Sequence, residues 1–188
     1  MQRIALLLGL LGGAAWIGLA FAPPECVPVT GASEVFCNRL WTPGLALMTV
    51  GFLGLRRWAV PAGRPGVARG LLAVAIGYGV MAMGNGLEYW VFSTWPHEGP
   101  SGWLRGVLWM ATLAGWLLVL LASCLAGLML VGRRSARTLT GLGLLLLIAP
   151  LLTVTIGPLA IGLLALVSCG YGLVALPATS VSVAPSPA

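Results

Sequence analysis

Hydrophobic residues in this chain come in long runs rather than in alternation. Stretches with few or no charges cover residues 4–22, 41–58, 69–92, 103–132 and 138–176. Each of the first four is near the roughly 20 residues that carry an α-helix across about 30 Å of hydrocarbon. The last is too long for one crossing, since its 39 residues at about 1.5 Å each make a rod of roughly 58 Å. Pro150, Thr153, Thr155, Gly157 and Pro158 interrupt it, and such residues loosen helical hydrogen bonding and favour a tight turn. Two helices are therefore expected there, 138–154 and 158–176. The pattern predicts an all-α integral membrane protein of six transmembrane helices joined by short loops, forming one domain over residues 1–176. Five spans is the alternative. The final stretch, residues 177–188, is small, prolyl and uncharged, and is expected to be disordered.

Composition agrees with this class. Hydrophobic residues make up 59% of the 188 and charged residues 7%, with a mean hydropathy of +1.01. A water-soluble globule has more polar surface than such a chain can supply.

Arginine placement predicts an orientation, there being no lysine. With a cytoplasmic N-terminus, Arg3, Arg56, Arg57, Arg64, Arg69, Arg133, Arg134 and Arg137 lie inside, and only Arg39 and Arg105 outside. That is the positive-inside bias. It puts the loops 23–40 and 93–103 on the outer side of the cell membrane. The basic balance does not suggest nucleic acid, because the arginines end short loops rather than lining one face. Anionic lipid headgroups are their expected partners.

The N-terminal segment ends in Ala20-Phe21-Ala22, a possible signal-peptidase site. Its apolar run is longer than a usual signal core and carries Gly9-x-x-x-Gly13, a spacing suited to close helix packing, so retention is expected. Glycine abundance, 27 residues, produces that spacing by chance as well. Cys26 and Cys37 share an outer loop and are expected to form a disulfide. Zinc completed by His97 with Glu98 or Glu34 is the alternative; no close-spaced cysteine pair supports it. Cys124 and Cys169 lie inside spans at similar depth and read as packing residues.

The stretch "MGNGLEYWVFSTWPHEGPSGW", residues 83–103, holds the chain's only histidine. Trp90 and Trp95, with Trp41 and Trp103, fit an aromatic belt where helices surface, and "WPHEGPSG" is turn chemistry. Asn85 is deeper. It lies three residues before Glu88, on a face that includes Tyr78 and Tyr89, and an amide in hydrocarbon needs a partner. Asn85, Glu88, Tyr78, Tyr89, His97 and Glu98 are the candidate ligand-binding residues. The competing account of Asn85 is an interhelical hydrogen bond beneath an interfacial carboxylate.

Several activities are excluded. Without lysine there is no Schiff base, and one histidine rules out two-histidine haem ligation and H-E-x-x-H zinc. Ser101 has the G-x-S-G context of an intramembrane serine protease, but no histidine follows His97, so it reads as a turn residue. No catalytic residue, cofactor or metal site is predicted. The expected function is a non-enzymatic accessory or assembly subunit, or a lipid- or solute-binding bundle, packing against itself or another membrane protein. A small transporter centred on Asn85 and Glu88 is the alternative, and an outer-face membrane enzyme the third reading.

Overall fold

The computed structural model describes residues 1–21, 32–60, 64–92, 99–131, 143–148 and 158–175, and all of its regular elements among these are helical. They are α1 (Gln2–Ala20), α2 (Ala32–Ala59), α3 (Pro65–Gly86) continued by a π-helical turn (Leu87–Val91), α4 (Gly99–Val131), a short α5 (143–148) and α6 (Pro158–Ala175). Prolines open α3 and α6, where the absent N–H costs nothing and the fixed φ suits the first turn.

Three stretches are long and apolar enough to cross a membrane: Gln2–Leu19, Pro65–Val91 and Gly102–Val131. The apolar part of α6, Leu159–Val174, is shorter. The expected span at 41–58 is not among the three. Between Arg39 and Arg56 only residues 40–55 are uncharged, about 24 Å of helix, and Trp41, Thr42 and Pro43 dilute its apolarity.

Two boundaries differ from expectation. Helix α2 begins at Ala32, inside the expected outer loop 23–40, and runs through Pro43. Helix α4 begins at Gly99, so Ser101 belongs to its first turn rather than to a connecting loop. In both cases a helix already nucleated by packing extends through residues whose local preference is for turns. The expected disulfide, the zinc alternative and the C-terminal tail fall on residues or side chains outside those described.

The helices pack in the order α6, α1, α2, α3, α4, and α2 also touches α6. Small residues make this packing close. A Cβ on Gly77 would stand 2.7 Å from the carbonyl oxygen of Gly115 on α4, and one on Gly115 would stand 2.7 Å from that of Gly77. Helix α1 uses both members of its G-x-x-x-G pair in different directions. Gly9 meets Gly51 of α2, and Gly13 meets the Gly162 carbonyl of α6. Cys169, fully buried, fills the notch between Gly9 and Gly51 with its sulfur, which bears out its reading as a packing residue.

Helix α4 is apolar on both faces but graded by size. Gly115, Val119, Ala122 and Ala126 turn inward, while Leu117, Leu121, Leu125 and Leu128 are exposed. Water would penalise that leucine stripe, whereas a bilayer accepts it and lets small residues bring the helix axes together.

Candidate functional site

At one end of the bundle, five helices converge on a partly open cleft of about 370 Å³. The cleft receives the C-terminal parts of α1 and α3 and the N-terminal parts of α2, α4 and α6. Three helices contribute stripes at helical spacing: Asn38, Trp41 and Leu45 from α2; Met81, Asn85 and Glu88 from α3 and its π turn; Trp109, Thr112, Leu113 and Trp116 from α4. Trp16 of α1, Tyr89 and Ile161 of α6 complete the lining.

Asn85 finds its partners on α2. Its amide donates to the Asn38 carbonyl at 2.8 Å and to the Thr42 hydroxyl at 2.9 Å. Both acceptors lie just before Pro43. Proline has no N–H, so the Arg39 carbonyl four residues earlier loses its helical donor, and the ring crowds the backbone there. The Trp90 indole of the π turn donates to that carbonyl instead, at 3.2 Å, next to the Asn38 carbonyl that Asn85 reaches. Arg39 reciprocates. Its Nε donates to the Tyr89 carbonyl at 2.7 Å, and its guanidinium lies 5.6 Å from the Trp90 ring centroid.

The receiving backbone of α3 is itself unusual. The Phe92 N–H donates to the Leu87 carbonyl at 3.0 Å, five residues back, which defines the π turn. Such single wide turns recur at functional sites because they redirect side chains that a regular helix would space evenly. Gly84, one turn before, lets α4 approach. A Cβ there would stand 2.5 Å from the Thr112 hydroxyl oxygen and 2.9 Å from the Leu108 carbonyl. Thr112 returns its own proton to Leu108 at 3.1 Å and lines the cleft opposite Asn85.

Of the candidate residues, Asn85, Glu88 and Tyr89 come together on the cleft wall. Asn85 and Glu88 are each 8% exposed. Tyr78 does not join them. It is fully buried two turns deeper, beside Phe52, and its hydroxyl donates to the Ile161 carbonyl at 3.3 Å, bracing α6 behind the cleft. His97 and Glu98 lie outside the described residues. Among the described residues no three His, Cys, Asp or Glu side chains come together as a metal site would require.

Of the tryptophans expected in the belt, Trp90 and Trp103 are exposed, Trp95 lies outside the described residues, and Trp41 departs. Trp41 is half-buried and meets Trp16 edge to face, with ring centroids 4.4 Å apart, so it is a cleft residue rather than part of a surface girdle. Trp16, Trp109 and Trp116 join it without having been expected there. The 109, 112, 116 spacing is the signal available in the sequence, one face of α4 at i, i+3 and i+7, but tryptophan near a helix end points first to the membrane interface.

Compared with protein-family models, with curated proteins and with solved structures, the chain matches none.

Proposed function

We propose that this chain is a multi-pass membrane protein that binds a small solute or a lipid headgroup in the cleft between α1, α2, α3, α4 and α6. The observation that carries this reading is a buried carboxylate, Glu88, on the wall of a 370 Å³ opening that also presents Asn85 and Thr112. An interhelical hydrogen bond alone accounts for Asn85, but it requires no opening. Ligand pockets are commonly about 300–1,000 Å³, mostly apolar with a few convergent polar groups, and this cleft has that character.

The proposed setting is a bundle of six crossings with its N-terminus on the cytoplasmic side of the cell membrane. Support comes from the distribution of charge along the helices. Arg3, Arg56, Arg57, Arg64 and Arg69 occupy the helix ends remote from the cleft, against Arg39 and Arg105 at the cleft end, as the positive-inside rule favours. The cleft then opens outward. Labelling of an Arg64→Cys variant in intact cells tests this; reaction with an impermeant reagent from outside would reverse the orientation.

Native mass spectrometry of protein purified in mild detergent tests binding. Wild type should retain, or take up from a solute panel, a small molecule that a cleft-filling Leu113→Phe variant with unchanged melting temperature does not. Equal occupancy in both proteins, or none in either, would defeat the reading.

Transport is the second reading, favoured by Pro43 within α2 and the π turn that follows α3, two helices that both line the cleft. Both are places where a helix bends at low cost. Ligand binding without flux in proteoliposomes would leave a binding protein.

A further inference from the structure

We propose that the ligand of this cleft is a single-chain amphiphile that enters sideways from the lipid past Trp109, an inference that rests on the cleft being a binding site. The depth of the cleft points to the bilayer as its source. Every lining residue supplied by α1, α3 and α4 falls within the three stretches long and apolar enough to cross a membrane. Trp116 stands fourteen residues after Gly102 and fifteen before Val131, the ends of one such stretch. At about 21 Å from either end, it sets the floor of the cleft near the middle of the hydrocarbon. The deepest lining positions on α2, α3 and α4 are Leu45, Met81 and Trp116. A strongly hydrated solute would shed water against them without replacement bonds. An alkyl chain loses nothing by moving from lipid to such walls, and Asn85 and Thr112 offer hydrogen bonds to one polar end.

Trp109 marks the way in. It lines the cleft and also a second groove of about 510 Å³ on the surface of α4, shared with Trp103, Gly106, Val107 and Met110. A single indole, 56% exposed, is therefore common to the inner wall and the lipid-facing surface. It has room to swing. A Cβ on Gly106 would meet nothing within 4 Å, and helical side chains lean toward the N-terminal turn, so the ring at 109 can lie over the bare backbone at 106. The volumes set the shape of the ligand. At roughly 30 Å³ for each water-sized atom, the 370 Å³ of the cleft takes about a dozen non-hydrogen atoms. That is a head and the first carbons of one chain, and the rest of the chain lies in the groove beyond Trp109.

The test uses hexadecanol carrying a diazirine beside its hydroxyl, with the full chain in phosphatidylglycerol nanodiscs. Mass spectrometry locates the photolabel. Label should appear at Leu113 and Trp116 and be displaced by excess plain hexadecanol, while label on the exposed Leu121 and Leu125 should barely change. Leu113→Phe should abolish the displaceable label alone. Gly106→Leu fills the space into which the indole swings. It should slow the appearance of that label by roughly tenfold and leave its final extent and the melting temperature unchanged. Equal rates in wild type and Gly106→Leu would overturn entry past Trp109. Label confined to Leu121 and Leu125, beside a polar solute retained in native mass spectrometry, would overturn the lipid-borne ligand while leaving a binding site. The same confined label with no retained molecule would remove the binding site itself.

Discussion

The contact between α3 and α4 makes a quantitative prediction about two glycines. A Cβ at Gly77 would lie 2.7 Å from the Gly115 oxygen, 2.7 Å from Val119 Cγ2 and 3.0 Å from the Val119 nitrogen. Two of these neighbours are backbone atoms of a long helix, so no side-chain rotation relieves them. The helices must part by about 0.7 Å at this level to restore ordinary van der Waals separation. Overpacking of this kind costs about 1–3 kcal/mol, offset by about 1 kcal/mol of better helix propensity in alanine. Gly77→Ala should therefore lose up to about 2 kcal/mol of stability, and Gly115→Ala a similar amount.

The double variant is the sharper test. Both methyl groups demand the same movement, so once the helices have separated for one, the second adds little. The pair should fall short of additivity by about 1 kcal/mol. Reversible unfolding in mixed micelles, followed by circular dichroism, measures all three. Gly106 is the control, because a Cβ there meets nothing within 4 Å, and Gly106→Ala should be neutral or stabilising. A Gly77→Ala variant as stable as Gly106→Ala, or full additivity in the pair, would refute the proposed glycine contact.

Three further outcomes follow from individual contacts. Asn85→Leu removes both hydrogen bonds to α2 and should cost about 1–2 kcal/mol in the same assay, whereas Thr42→Val, which removes one acceptor, should cost less; equal losses would contradict the shared amide. Trp90→Phe keeps an aromatic ring but deletes the donor to Arg39, and should destabilise by about 0.5–1.5 kcal/mol; no change would mean that the Arg39 carbonyl is satisfied otherwise. Cys169 is buried in the glycine notch while Cys124 is only partly covered, so an alkylating reagent should modify Cys124 first and reach Cys169 only on unfolding. Modification of Cys169 in the folded protein would show that the notch opens.

The helical class was legible because oil-like runs separated by arginine and proline fit few folds besides a helical bundle in lipid. Asn85 was legible too, since a lone amide in an apolar run advertises a missing partner. The identity of that partner was not. Asn38 falls in the expected loop 23–40 and Thr42 at the very start of the expected span 41–58, next to Pro43, a residue more familiar as a helix terminator than as an interior kink. Only the docking of α3 shows why the helix persists there. The tryptophan lining was hidden for a related reason. Trp16, Trp41, Trp109 and Trp116 stand on three helices with more than ninety residues between the first and last, and one sequence contains no record of which helix ends meet. Tyr78 shared a predicted face with Asn85, yet two helical turns carry it from the cleft into the core.

Pro43 leaves α2 with an acceptor that its own backbone does not fill, and the donor sits on the following hairpin partner. At the exposed end of the bundle that donor contributes about 0.5–1.5 kcal/mol. Isolated α2 would thus lack one of its backbone partners, and its completion waits for the π turn after α3, synthesised some fifty residues later. The two segments are expected to mature as one insertion unit, with the wall around Asn85 assembled at the same moment as the hairpin itself.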